Sequence, residues 1–406
     1  MQTNTFELNK DIFWVGVTDY DLRVFDITME TLYGTTYNAY FIKGSHKSAL
    51  VDTSKANFNE DYLAKLNTLI DIKTIDYLIL NHTEPDHSGS IEKILDMNPD
   101  IIIVASSPAL SNIKEIVNRP FHSLRTKDDT VISLGNKTLR FFNLPNLHWP
   151  DTLFTYLEED EILFTCDFFG AHYAFEGVLA KNVKDQTIYK EAFKYYFDSI
   201  MSPFKPFVLK ALETIKRLKI KYIATSHGPV IDNSNLEEVQ KLYKEWATPF
   251  TKREVPLVVI PYASAYGYTA KMAQMIKEGL EEAFFTKVDV ELYDLVETPL
   301  KDIVKRIEEA EGLLIGSTTI LNDSVKPVWD LLSSLNPVIH GLKFASAFGS
   351  YGWSGEAVKF IMERLTQLKM KTIEGIRIRF NPSSSQLQEA FDFGKKFGFF
   401  MQGISK

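Results

Sequence analysis

His82-Thr-Glu84-Pro-Asp86-His87 follows directly on the apolar run Tyr77-Leu-Ile-Leu80. A short apolar run of this kind reads as a buried strand. Four side chains able to bind a metal therefore leave one strand end within six residues and can converge from a single loop. Two later segments, Ile162-Leu-Phe-Thr-Cys-Asp167 and Tyr222-Ile-Ala-Thr-Ser-His227, each end an apolar run in another such residue, and His148 adds a further one. Seven nitrogen and oxygen ligands (His82, Glu84, Asp86, His87, His148, Asp167 and His227) are enough for two ions, with a carboxylate such as Asp167 between them. Two ions roughly 3.5–4 Å apart share chemistry in many hydrolytic and redox sites. A lone histidine after a strand is usually a satisfied structural residue. A cluster this dense is costly to bury without a counter-ion. Four of the eight histidines belong to it. His46, His122 and His340 lack such company and are expected at the surface.

The chain of 406 residues is long enough for two domains, and 45% hydrophobic with 24% charged residues is the balance of a globular protein. No apolar run reaches the roughly 18 residues of a membrane span. The start, Met1-Gln2-Thr3-Asn4-Thr5, lacks the basic and apolar stretches of a secretory signal. Cys166 is the only cysteine, so the chain holds neither an internal disulfide nor a thiolate-bound iron–sulfur centre. A cytoplasmic protein with no membrane partner is expected. The net charge of −8 lies almost wholly before Val255, with no basic face, which argues against a nucleic-acid partner.

A seam is expected at 246–256, where two prolines and a polar cluster interrupt the pattern. It divides the chain into domains at 1–250 and 255–406. Beyond the seam, strands at 257–261, 288–292, 312–316, 343–349 and 374–380 alternate with amphipathic stretches. That alternation predicts a parallel, doubly wound α/β sheet. Such sheets bind ligands beyond the carboxyl ends of their strands. Three loops fall there. Ser264-Ala265-Tyr266-Gly267-Tyr268-Thr269 precedes a helix and suits an anion held by backbone N–H groups. Ser317-Thr318-Thr319-Ile-Leu-Asn322 follows the third strand. In Gly349-Ser350-Tyr351-Gly352-Trp353-Ser354-Gly355, glycines admit a flat ring on which Tyr351 or Trp353 can stack.

This half resembles flavodoxin: Ser264-x-Tyr-Gly-x-Thr269 is similar to its phosphate loop, with Tyr266 in place of a small hydroxyl residue. The resemblance implies FMN, with the phosphate on Ser264, Tyr266, Gly267, Tyr268 and Thr269 and the isoalloxazine between the other two loops. No Gly-x-Gly-x-x-Gly fingerprint supports a dinucleotide. The N-terminal motif resembles the His-x-His-x-Asp-His signature of the metallo-β-lactamase fold over about residues 30–230, which implies an αββα sandwich and a supporting role for Asp52. Glu84 stands where hydrolases carry a second histidine. A carboxylate there favours iron over zinc by ligand type.

The combination of an α+β metal domain and a flavodoxin-like domain resembles the flavodiiron family, also called A-type flavoproteins. That likeness implies one iron on His82, Glu84 and His148, a second on Asp86, His87 and His227, and Asp167 bridging, His87 being the least secure ligand. It implies an oxidoreductase in which FMN feeds a non-haem di-iron site that reduces O2 to water or NO to N2O. A separate donor is expected, rubredoxin or another soluble reductant, and a head-to-tail homodimer or dimer of dimers. His172, Tyr195 and Tyr196 fall where relatives line the substrate pocket and are candidate proton donors. For at least one tyrosine, membership of an aromatic core with Phe193 and Phe197 is favoured. Cys166, one strand position before Asp167, is expected to face away into the core. The rival readings are a dizinc hydrolase with a flavodoxin module and a non-catalytic electron carrier.

Overall fold

A computed structural model of the chain describes residues 4–128, 130–248 and 253–404. It separates into two compact units, Met1–Pro249 and Phe250–Lys406. The expected seam includes residues 249–252, which lie outside the described residues, as do residues 1–3.

The first unit is built on two sheets. Seven strands run in the order Phe6–Asn9, Ile12–Trp14, Tyr40–Lys43, Ser48–Val51, Tyr77–Leu80, Ile102–Ala105 and His122–Arg125. Six more run Val131–Ser133, Thr138–Asn143, Leu153–Leu157, Ile162–Cys166, Tyr222–Thr225 and Ile231–Asp232. The two-residue period of a strand sends alternate side chains to opposite faces. Ile79, Val51, Leu153, Phe164 and Ala224 therefore meet between the sheets. Leu50, Leu78 and Leu80 face outward under the helices Asn59–Leu69, Ile91–Met97 and Ser107–Val117. Phe154, Leu163 and Ile223 face outward on the other side, under Gln186–Tyr196, Lys205–Ile215 and Leu236–Ala247. The result is four layers, helix–sheet–sheet–helix. Because both faces of each sheet are covered, the strands read as continuous apolar runs. Each buried Ile, Leu or Phe contributes about 1.5–3 kcal/mol by leaving water.

The second unit is one parallel sheet in the order Asp289–Asp294, Leu257–Ala263, Gly312–Ile320, Phe344–Tyr351, with Lys371–Thr372 and Ile376–Arg379 at the far edge. Tyr268–Ala283 and Ser384–Met401 cover one face, and Leu300–Glu309, Lys326–Ser334 and Glu356–Gln367 cover the other. Two details depart from expectation. The last strand is split into Lys371–Thr372 and Ile376–Arg379, and between them, at Gly375, the chain passes so close to the neighbouring strand that a Cβ would lie 2.3 Å from the Ala347 carbonyl. The third strand runs on to Ile320 and folds back against Asp323–Ser324, turning at Leu321 and Asn322, both left-handed. What reads as a loop after the strand is thus half hairpin.

His340 corrects a third expectation, for it is buried rather than on the surface. Its Nδ1 accepts from the Asn336 N–H at 3.1 Å. Burial pushes its imidazole down to about 4, so it is neutral in the fold. No helix among the described residues is long and apolar enough to cross a membrane.

Candidate metal centre and cofactor cavity

All seven expected metal-binding residues converge at the strand ends of the first unit. The Tyr77–Leu80 strand delivers His82 and Glu84, and Pro85, whose fixed φ suits a first helical position, then opens the single turn that carries Asp86 and His87. Asp167 follows the end of the Ile162–Cys166 strand, and His227 comes two residues after Tyr222–Thr225. Gly228 lets the chain fold sharply back at φ 74°, where a Cβ would lie 2.4 Å from the Ala171 carbonyl.

The ligand atoms form two groups. His82, Glu84, His148 and Asp167 make one, and Asp86, His87 and His227 the other, each within 4.8 Å. Glu84 Oε2 lies 3.2 Å from His82 Nε2 and 3.1 Å from His148 Nε2. Asp86 Oδ2 lies 3.0 Å from His227 Nε2 and 3.3 Å from His87 Nε2. Asp167 divides its oxygens: Oδ2 faces His82 at 3.6 Å and His148 at 3.5 Å, while Oδ1 faces His87 at 3.1 Å and His227 at 3.5 Å.

Four histidine Nε2 atoms thus point inward, and two of these rings are held from behind. His82 Nδ1 meets Asp151 at 3.1 Å, and His227 Nδ1 donates to the Thr36 carbonyl at 2.7 Å. A hydrogen bond at Nδ1 leaves the lone pair on Nε2, the form a metal requires. Both Asp86 oxygens, His87 Nε2 and Asp167 Oδ2 are buried without a hydrogen-bond partner among the described residues. Burial works against charge on His87 and His148, yet the carboxylates around them push both up to about 9. Burial likewise opposes the Asp167 charge, but His87, His148 and His82 hold its carboxyl well below the usual range. The cluster calls for positive charge at its centre, and a pair of cations fits its donors.

Several contributors carried no signal in the sequence. Asp151, besides backing His82, accepts from the Thr83 N–H at 2.8 Å and the Thr83 hydroxyl at 2.6 Å. The hairpin of Val24–Phe25 and Met29–Glu30 lays Phe25 against His172 and His227, with ring centroids 4.4 and 5.5 Å away. At its turn stands Asp26, whose carboxyl is pushed up to about 6 by burial and then by the nearby Glu84 charge. Asp26 and Ile27 both have positive φ. For a β-branched residue such as Ile27 that is a strained conformation. Asp52, expected in a supporting role, accepts from the Asn81 N–H at 2.7 Å and so braces the residue before His82.

His172 is buried, and Thr35 Oγ1 joins its Nδ1 at 2.8 Å to His227 Nδ1 at 3.3 Å. Its Nε2 has no hydrogen-bond partner among the described residues, and its ring lies 4.9 Å from that of Tyr196. Tyr196 is buried with Phe193 and Phe197. Tyr195 is 43% exposed at a separate cavity of about 230 Å³ that ends on His172. Cys166 corrects the alternation argument. It is buried, but a register shift after Phe164 and a φ of 49° turn it toward the cluster, its sulfur within 4.8 Å of ligand atoms on His87 and Asp167. Burial and then the charges of Asp167 and Asp52 push its thiol pKa up, so it stays protonated.

In the second unit, a cavity of about 380 Å³ opens at the carboxyl ends of the strands. Ala265, Tyr266, Tyr268, Thr318, Thr319, Asn322, Ser350, Tyr351, Gly352, Trp353 and Ser354 line it, with Ile320, Leu321, Arg379 and Phe380 besides. The other five expected residues shape its walls from behind. Ser264 Oγ accepts from the Ala270 N–H, Gly267 caps the helix at φ 79°, and Thr269 bonds Ser350 at 2.8 Å. Ser317 is held by Ser324, and Gly355 precedes the Glu356–Gln367 helix. No carboxylate among the described residues lines the cavity, and exposed Tyr266 and Trp353 stand at its rim. A flat ring bearing a phosphate fits these residues.

Residues 35–228 match the family described as ODP family beta lactamase, and residues 260–394 match flavodoxin. The flavo-diiron protein FprA2 of Clostridium acetobutylicum is 38% identical, over 96% of this chain and 98% of its own. A nitric oxide reductase of Moorella thermoacetica is 36% identical, over 95% and 96%. The solved structure of rubredoxin oxygen:oxidoreductase from Desulfovibrio gigas superposes with a TM-score of 0.70 at 25% identity, covering 98% of this chain and 99% of that one. Identity at this level along nearly the full length of both chains places the protein, plainly, in the flavo-diiron family of oxidoreductases, the type A flavoproteins.

Proposed function

We propose that this chain is a terminal oxidoreductase that reduces O2 to water or NO to N2O at a di-iron centre, with electrons relayed through FMN. The observation that carries the reading is Asp167, whose two oxygens each face a different group of ligands. When bound, FMN would supply two electrons and the two irons one each, the four that O2 needs for complete reduction. Asp167 would be shared by the two metals, since one oxygen faces His82 and His148 and the other faces His87 and His227. Glu84, in place of a third imidazole, hardens the first position toward iron. Asp151 and the Thr36 carbonyl fix the tautomers of His82 and His227. His172 Nε2, without a hydrogen-bond partner among the described residues, and the buried Tyr196 hydroxyl are the proton donors of this reading, and Phe25 packs against His172 and His227. Tyr195, being outside, serves the approach.

The cavity residues of the second unit orient the flavin, and backbone N–H groups at the start of the Tyr268–Ala283 helix receive its phosphate. A soluble donor of the rubredoxin kind delivers electrons, and two copies arranged head to tail bring one flavin to the other copy's metals. Sedimentation of a fully active monomer overturns that last point. The central test is anaerobic reduction followed by rapid mixing with O2 and, separately, NO, with metal analysis alongside. Two irons and fast reoxidation are expected. Two zincs and no reoxidation by either gas overturn the proposal in favour of a hydrolase.

A further inference from the structure

We propose that Arg379 sets how strongly the bound flavin holds electrons, by placing a positive charge beside its reduced form. The inference rests on the FMN reading above. Of the described side chains lining the cavity, Arg379 alone carries a formal charge; the rest are aromatic, hydroxylic, amide, apolar or glycine. It ends the Ile376–Arg379 strand, and its Nε donates to the Gly352 carbonyl at 2.9 Å, in the middle of the loop expected to flank the isoalloxazine. Phe380 lies beneath the guanidinium at 5.6 Å. No carboxylate pairs with Arg379 among the described residues, whereas Arg253 and Arg306 of the same unit both have one. Its charge is therefore not neutralised within the protein.

The chemistry gives that charge a use. Oxidised flavin is neutral at its ring. Taking up two electrons and one proton leaves one negative charge on the pyrimidine side. A cation near the ring favours the reduced form over the oxidised one, and protein charge beside a flavin is a standard means of tuning it. The Arg379 side chain is exposed at the cavity edge, so solvent weakens the effect. Removal of the charge is expected to lower the ratio of reduced to oxidised affinity by up to about tenfold, which for a two-electron couple is about 30 mV.

Arg377 provides an internal control. Its Nη1 donates to the Gly355 carbonyl at 3.1 Å, bracing the same loop, but it does not line the cavity. The experiment is an anaerobic spectroelectrochemical titration of the FMN-loaded full chain, with flavin retention on dilution measured by fluorescence. Arg379→Gln is expected to lower the flavin midpoint while oxidised FMN is retained as in the wild type. Arg379→Lys is expected to keep most of the wild-type value, and Arg377→Gln all of it. An unchanged midpoint in Arg379→Gln, with both redox forms bound equally weakly, overturns the inference and makes Arg379 a phosphate partner or loop brace. An Arg377→Gln variant that reproduces the midpoint shift overturns it as well. A wild-type chain that neither carries nor takes up FMN overturns the cofactor reading, and this inference falls with it.

Discussion

The two candidate sites of this chain are built in opposite ways. The metal centre is made of charged side chains, nearly all buried, whose partners are each other. The flavin cavity is made of backbone, hydroxyls and aromatic rims, several of them largely exposed, with one formal charge. In the first, each group is costly to bury without its neighbours, so function and local stability depend on the same contacts. In the second, shape and hydrogen bonding from the main chain do the holding, and single side chains matter less.

That contrast orders the expected effects of substitution. Asp167→Ala removes the group shared by both halves of the cluster. Metal content is expected to fall from two per chain to near none, with gas reduction lost and flavin content unchanged, as read by elemental analysis and absorbance. Retention of both metals would break the comparison at its strongest point. Asp151→Ala leaves the seven ligands in place but frees the His82 ring. Metal affinity is expected to drop about 10–100-fold, measured by competition with a chelator.

Acid tests the second unit apart from its cavity. The His340 pKa is held below its unfolded value, so its contribution is complete above about pH 6.5. It is lost as pH falls toward about 4. At roughly 1.36 kcal/mol per pKa unit, the cost at pH 4 is about 3 kcal/mol. Denaturant melts of wild type and His340→Phe between pH 7 and 4 should differ in slope, and identical slopes would remove His340 as the cause. The smallest effect is expected at the cavity rim. Trp353→Ala should weaken FMN retention several-fold by loss of one stacking surface, measured by fluorescence on dilution, with metal content unaffected.

Much of this was open to reading along the chain. His82-Thr-Glu84-Pro-Asp86-His87 after an apolar strand is legible because ligand type and strand-end position are local properties. The same holds for Asp167 and His227, and for the strand–helix alternation after Val255. Cys166 was misread because alternation presumes a regular strand, and the register shift after Phe164 is a property of pairing with Tyr222–Thr225. His340 was misread because burial depends on what packs over a residue. Asp26 and Phe25 sit in a short hairpin without any metal-binding pattern, and Arg379 is an ordinary strand-end arginine until the Gly352 loop folds against it.

Composition, periodicity and side-chain chemistry by themselves determined the two-part architecture and the donor types, because a strand's period and a ligand's affinity belong to a few neighbouring residues. Only the tertiary structure decided which carboxylate oxygen faces which histidine, that Asp151 stands behind His82, and which charge borders the flavin cavity. Those are contacts between segments tens of residues apart, and the spacing along a chain does not encode the angle at which two loops meet.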